Sequence, residues 1–210
     1  MRIAVIGSGV VGRTLATAFR RHGHDVVVGT RDPEVTSSRP EWSDLDLPLV
    51  ALEDAGSGAE VVVNATRGAG SLDALAKVDL DGKVLLDVSN PLDFSAGPVP
   101  KLTVQDTDSL AEQIQRAHPE ARVVKALNTV NAEVMVRPGS LPETSTVFVA
   151  GDDPLAREAV RELLRELGWI DVVEFPSLEA ARGLEMYLSL WVRLMGTLGT
   201  AEFNIRLVRD

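Results

Sequence analysis

Seven short runs rich in β-branched residues recur along the chain with helical stretches between them: RIAVI (2–6), DVVVG (25–29), EVVVNA (60–65), KVLLDV (83–88), ARVVKAL (121–127), STVFVA (145–150) and IDVVEF (170–175). Each run carries consecutive apolar residues instead of alternating apolar with polar. That is the pattern of a strand covered on both faces, as in a parallel sheet whose crossover helices lie above and below it. The chain is therefore expected to be α/β, a doubly wound and mostly parallel sheet.

The intervening stretches carry helix-end signals. Ser109 with Glu112 spells a capping box ahead of LAEQIQRA. Asp153 followed by Pro154 places a cap and a first-turn proline ahead of LAREAVRELLREL, and Gly23 and Gly168 stand where helices need a left-handed stop. Residues 32–48 hold three prolines and many small polar residues and read as loop, as does SAGPVPK (95–101). After Pro176 the pattern changes: Leu184, Leu188, Trp191, Met195 and Leu198 recur at spacings of four and three, one apolar face of a helix beginning near Ser177. This tail of about 35 residues is too small to build its own core. The expected division is a nucleotide-binding unit over residues 1–175 and a helical segment over 176–210 that packs on it or on a dimer partner.

With 45% hydrophobic and 25% charged residues, neither disorder nor a membrane protein is expected, and the longest apolar runs are far too short to span a bilayer. The apolar start, MRIAVIGSGVVG, is broken by glycines and reads as mature structure, not a signal peptide, so the expected location is the cytoplasm. The absence of cysteine removes disulfides, thiolate metal sites and cysteine nucleophiles together. Twenty-one basic against 31 acidic residues give a net charge of −10, which repels a phosphate backbone, so nucleic acid is not an expected partner.

GSGVVG, residues 7–12, matches G-x-G-x-x-G. The pattern is weak alone; here it follows a strand, precedes a helical stretch (RTLATAFRRH) and has a second strand at the expected distance, which makes it a Rossmann phosphate turn. Gly7 permits the tight turn, Gly9 lets the backbone approach a pyrophosphate, and Gly12 lets helix and strand lie close, with Ser8, Val10 and Val11 completing the cradle. The helix N-terminus supplies free N–H groups and partial positive charge. An Asp or Glu often ends the second strand and binds the ribose 2′-OH of NAD; Thr30 stands there instead, followed by Arg31. A hydroxyl and a planar guanidinium suit a 2′-phosphate, so the predicted dinucleotide is NADP(H). Asp32, next door, is a possible partner for Arg31 or for the ribose.

The chain resembles the NADP oxidoreductases that depend on the deazaflavin coenzyme F-420. The resemblance runs over essentially the whole length and rests on GSGVVG, the VVGTR strand end, VSNPL (88–92), ALNTVNA (126–132), VAGDDPLAREAV (149–160) and the short helical tail. It implies direct hydride exchange between the nicotinamide and the deazaflavin, stacked at the C-terminal ends of the strands. By family position, Asn64, Ala65, Thr66 and Arg67 form the loop over the dinucleotide, Ser89, Asn90 and Pro91 the next wall, and Val130 and Ala132 the nicotinamide lining. Relatives often carry His-Thr-Ile-Pro where this chain has Asn128-Thr129-Val130-Asn131. The resemblance also suggests a homodimer paired through the tail.

Hydride exchange between two bound rings needs no side-chain acid or base in principle, and no catalytic residue is predicted. Three histidines without a carboxylate at ligand spacing give no metal site, and His22, His24 and His118 read as surface residues. Arg67 follows a strand on the ligand side and reads equally as a contact to the cofactor pyrophosphate or to an acidic tail on the second substrate, or as a solvated arginine. Asn90, Asn128 and Asn131 read as backbone caps ahead of carboxamide contacts, and Tyr187 and Trp191 as packing ahead of ring covers. Two other functions stay open at this point: NADPH-dependent reduction of a flavin, quinone, imine or small carbonyl compound, and an NADP(H)-sensing module without catalysis. Carbonyl reduction usually needs a proton donor, and the only tyrosine is Tyr187 in the tail.

Overall fold

The computed structural model describes residues 1–95, 97 and 99–210. In chain order the elements are β1 (Arg2–Ile6), α1 (Val10–Arg21), β2 (Asp25–Thr30), α2 (Pro33–Ser37), β3 (Leu49–Ala51), α3 (Leu52–Ala55), β4 (Val61–Asn64), α4 (Ser71–Leu75), β5 (Val84–Asp87), β6 (Leu92–Asp93), β7 (Lys101–Leu102), α5 (Leu110–Ala117), β8 (Arg122–Ala126), α6 (Ala132–Val136), β9 (Thr146–Gly151), α7 (Pro154–Glu166), β10 (Asp171–Phe175), α8 (Ala181–Met186) and α9 (Leu188–Leu198). Single 3-10 turns at Pro40–Trp42, Gly68–Gly70, Pro138–Ser140 and Leu178–Ala180 complete the description.

Eight strands form one sheet in the order β10-β9-β8-β5-β4-β1-β2-β3, and β6 pairs with β7 in a separate ribbon. From β3 to β8 every pairing is parallel, the Rossmann order. Alternate residues of one strand serve opposite cores: Ile3 and Val5 pack with Leu15, Ala16 and Phe19 of α1, with α6 and with α7. Ala4 and Ile6 pack instead with Leu52, Leu75, Leu110 and Ile114 of the opposite helical layer. Both faces being covered, the strands have no polar side to show, which is why their sequences do not alternate. Each fully buried Leu, Ile or Phe contributes about 1.5–3 kcal/mol relative to exposure.

The last strand pair runs the other way. β9 is antiparallel to β8, and β10 is parallel to β9. Residues 127–145 turn at the sheet's end through only α6 and a 3-10 turn, so β9 starts beyond the C-terminal end of β8 and runs back beside it, whereas α7 provides the full crossover between β9 and β10.

The helix ends follow the sequence signals. Ser109 Oγ accepts from Glu112 N at 3.1 Å and Asp153 Oδ1 from Ala156 N at 2.8 Å, while Gly23 and Gly168 take positive φ. Two expectations are corrected. Residues 32–48 are not wholly loop: Asp32 Oδ1 accepts from Val35 N at 2.9 Å and, with Pro33 in the first turn, starts α2. His24 is not a surface residue; it is buried against Phe19, with Nε2 2.6 Å from Glu166 Oε2. In SAGPVPK, Lys101 lies in β7, and Ala96 and Pro98 lie outside the described residues.

The tail folds back over the sheet. Ser177 starts it, Asp152 Oδ1 accepts from Leu178 N at 2.9 Å, and Leu184 and Leu188 are buried. Beyond them the apolar face runs into solvent: Trp191 and Met195 are half-buried, Leu190 is 53% exposed and Leu198 55%. Among the described residues no helix is long and apolar enough to cross a membrane.

Candidate functional site

The C-terminal ends of β1, β2, β4, β5 and β8 lie along one edge of the molecule, where open α/β sheets bind ligands. At the end of β1, Gly7 N donates to Gly29 O at 3.1 Å and Ala65 N to Ile6 O at 2.9 Å, so the turn is pinned between its two neighbouring strands. Gly7 has φ +119°, and a Cβ there would meet Ala65 O at 2.6 Å. A Cβ on Gly12 would come within 1.9 Å of Gly7 O, so the first turn of α1 lies directly against the loop. Gly9, which caps α1, differs: its φ of −80° suits any residue, and a Cβ there would meet nothing within 4 Å. The fold itself does not require glycine at that position. Val10, 62% exposed, follows it, with Ser8 and Val11 half-buried.

At the end of β2, Thr30 is buried and its hydroxyl pairs with that of Thr36 at 2.8 Å, holding α2 beneath the strand end. Arg31 is exposed, and Asp32 is engaged in capping α2. At the end of β4, Asn64 is wholly buried and anchors the loop beyond it. Its Oδ1 accepts from Thr66 Oγ1 at 2.7 Å, and its Nδ2 donates to Asp87 Oδ1 at 2.9 Å. Ala65 and Thr66 are half-buried and Arg67 is exposed. The loop then packs on the next wall, since a Cβ on Gly68 would lie 2.0 Å from Asn90 O. Ser89 and Pro91 are buried and Asn90 is half-buried.

Past β8, Val130 sits in the core layer that holds α1, and Ala132 opens α6 under the cap of Asn131, whose Oδ1 accepts from Val134 N at 2.8 Å. Asn128 is buried. Its Nδ2 donates to Asn90 Oδ1 at 2.9 Å and to Leu184 O at 3.0 Å. Asn90, Asn128 and Asn131, the three asparagines weighed as carboxamide contacts, are thus all engaged with the protein. The predicted residues at β1, β2, β4 and β5 therefore share one edge, while a groove of about 610 Å³ beside the outer face of α1 includes only Val10 of them.

Sequence reasoning passed over Asp87, Lys125 and Glu185. All three are buried, with Lys125 Nζ 2.7 Å from Asp87 Oδ2 and 2.8 Å from Glu185 Oε1. Burial opposes the Lys125 charge, but the two facing carboxylates outweigh it and hold its pKa above the ordinary lysine range. Burial pushes the Glu185 carboxyl up, against the pull of Lys125. The signal was present: a lysine and an aspartate inside otherwise unbroken apolar runs. Among the described residues no acidic or histidine cluster is arranged to hold a metal.

A doubly wound sheet with a glycine turn pinned between its central strands defines a protein of the dinucleotide-binding Rossmann class. Comparison with known proteins narrows the class. Residues 2–91 match the family described as NADP oxidoreductase coenzyme F420-dependent. The F420-dependent NADP reductase of Methanothermobacter thermautotrophicus is 30% identical over 207 residues, covering 92% of this chain and 89% of that one. A crystal structure of a candidate F420-dependent NADP-reductase from Arthrobacter sp. FB24 superposes with a TM-score of 0.96 at 49% identity, covering the whole of both chains. Metalloreductase STEAP3 of Rattus norvegicus is 33% identical over 187 residues, which are 88% of this chain but 36% of that protein. The chain spans about two fifths or less of the length of the metalloreductases it matches. The chain belongs to the F-420-dependent NADP oxidoreductase family.

Proposed function

We propose that the protein transfers a hydride directly between NADP(H) and the deazaflavin coenzyme F-420. The observation that carries the dinucleotide part of this reading is the phosphate turn: Gly7 and Gly12 are fixed by the fold, whereas Gly9 faces open space at the N-terminus of α1 that leaves room for a pyrophosphate. The match to a reductase of this specificity over nine tenths of both chains supports it. In this reading Gly7, Ser8, Gly9, Val10, Val11 and Gly12 cradle the pyrophosphate, and Thr30 and Arg31 border the 2′-phosphate. Ala65, Thr66 and Arg67 cover the dinucleotide, and Ser89, Asn90, Pro91, Val130 and Ala132 bound its nicotinamide end. The redox chemistry belongs to the two ring systems; the protein supplies position and excludes water.

Residues 1–175 form the dinucleotide-binding unit in this reading, and 176–210 cover its open edge and pair two copies. The exposed Leu190 and Leu198 on a helix whose face is otherwise apolar support a homodimer. A cysteine-free chain suits the cytoplasm. The deciding experiment mixes purified protein with NADPH and oxidised F-420 and follows the deazaflavin absorbance. Tight NADPH binding without turnover refutes the reading. The identity with a metalloreductase supports a second one, in which NADPH reduces another acceptor, and that outcome would lead to it.

A further inference from the structure

Lys125 and Asp87 are register partners on β8 and β5, both without solvent exposure. An ammonium has three protons, and Lys125 places all of them: on Asp87 Oδ2 at 2.7 Å, Ser89 O at 2.7 Å and Glu185 Oε1 at 2.8 Å. The remaining acceptors are filled too. Asp87 Oδ1 accepts from Asn64 Nδ2 at 2.9 Å, Ser89 N at 3.1 Å and Ser89 Oγ at 2.7 Å. Glu185 accepts from Leu110 N at 2.8 Å and Ala111 N at 3.2 Å, at the start of α5. Beside this ionic link runs a neutral one. Asn90 Nδ2 donates to Asn128 O at 2.9 Å, and Asn128 Nδ2 donates to both Asn90 and Leu184. Leu127, just before Asn128, holds φ at 60°, a left-handed conformation that leucine rarely takes and that the surroundings must enforce.

Two parallel links thus join the same three parts: the Ser89–Pro91 wall, the end of β8 and helix α8 of the tail. Stability is a poor reason to keep such an arrangement, since well-packed apolar residues often serve as well as a buried ion pair. What the links fix is relative position. We propose that Lys125 and Asn128 are positioning residues, a clasp that sets the nicotinamide wall against the tail helix and so aligns hydride donor and acceptor. The clasp rests on the function proposed above.

The test uses the full chain with Lys125→Met and Asn128→Ala, each measured for affinity toward NADPH and toward 2′,5′-ADP, which carries the adenosine bisphosphate but no nicotinamide. Both variants are expected to hold 2′,5′-ADP within about twofold of the parent and NADPH about tenfold more weakly. Single-turnover hydride transfer is expected to slow on the order of a hundredfold, the sensitivity of such a step to a misplacement of about 1 Å. A merely structural role would weaken both nucleotides by the same factor through loss of folded protein, and that result overturns the clasp. Unchanged NADPH affinity together with an unchanged transfer rate also overturns it. If Lys125→Met does not accumulate, Asn128→Ala, which removes two hydrogen bonds and no charge, decides alone. A parent chain that binds 2′,5′-ADP no better than 5′-AMP overturns the NADP(H) reading, and that failure is visible before any variant is made.

Discussion

Gly9 and Gly12 belong to one six-residue turn, yet the structure assigns them different duties that paired alanine substitutions separate. At Gly12 a new Cβ would stand 1.9 Å from Gly7 O and 2.9 Å from Gly7 C, both backbone atoms that no rotamer change can move. Helix α1 must shift away by more than 1 Å, an overpacking strain of about 1–3 kcal/mol. At 2–4 °C per kcal/mol for a chain of this size, Gly12→Ala is expected to melt roughly 2–12 °C lower and to lose NADPH affinity as well. At Gly9 the new Cβ meets nothing, and φ is −80°. Alanine restricts the unfolded chain, a gain of about 0.4–1 kcal/mol, but caps a helix less well than glycine, a loss of several tenths. The two nearly cancel, so Gly9→Ala is expected to melt within about 2 °C of the parent. In the proposed reading the same methyl stands where the pyrophosphate approaches, and NADPH affinity is expected to fall roughly tenfold to a hundredfold. Thermal melts and calorimetric titration of both variants suffice. If Gly9→Ala binds NADPH as the parent does, the turn does not cradle phosphate and the site has been misread.

Three further outcomes are expected. Arg31→Ala should lose about tenfold to a hundredfold in NADPH affinity, the worth of one charge-assisted hydrogen bond, and far less in NADH affinity; equal weakening of both in a fluorescence titration would remove Arg31 from the 2′-phosphate. The Arg116 guanidinium, at 2.7 and 3.0 Å, pulls the Asp108 carboxyl from its ordinary 3.8 to about 2, so the contribution of this pair is complete above pH 3.8 and is lost as pH falls from there toward 2. Asp108→Asn should flatten that acid limb in urea unfolding followed against pH, and, because Arg116 is largely exposed, should cost about 1 kcal/mol or less near neutrality. Leu190→Glu with Leu198→Glu should shift sedimentation from dimer to monomer without lowering the melting temperature of the monomer, both side chains being more than half exposed in the single chain.

The sheet was legible because its physics is repetitive. Seven runs of consecutive apolar residues became β1, β2, β4, β5, β8, β9 and β10, since a strand buried on both faces leaves that trace in sequence. β3 left none: its three residues are half-buried and stand directly after Pro48. α2 is too short to show a period, although Asp32-Pro33 is the same cap-and-proline pair that marked α7 at Asp153-Pro154. The reversal of β9 was not readable either, because strand direction depends on what the connection does and not on what the strand contains. The phosphate turn was readable, its glycines being demanded by close contacts between residues a few positions apart. The clasp was not, because Asp87, Lys125 and Glu185 are brought together only by the sheet register and the return of the tail. Asp87 and Lys125 stand out singly as charges inside apolar strand runs, but nothing in the sequence pairs them with each other or with Glu185.

Choice of acceptor follows the same division. A metalloreductase and an F420-dependent NADP reductase both match this chain over most of its length, so the strands and turn that they share with it cannot be what separates one acceptor from another. The ends of β5 and β8 are covered by the tail, whose Glu185 pairs with Lys125 and whose Leu184 O accepts from Asn128 Nδ2. Its Tyr187 Oη and Trp191 Nε1 are buried without a hydrogen-bond partner among the described residues, and burial pushes the Tyr187 phenol above its ordinary pKa. A buried polar atom left alone costs about 1–3 kcal/mol, which a second copy of the tail or the acceptor itself can offset. Trp191 stacks on Phe203 with ring centres 5.3 Å apart, so its indole is already fixed in orientation. In the function proposed above, residues that select the acceptor are to be sought on α8 and the helix that follows it, since Glu185 and Leu184 tie α8 to the ends of β5 and β8.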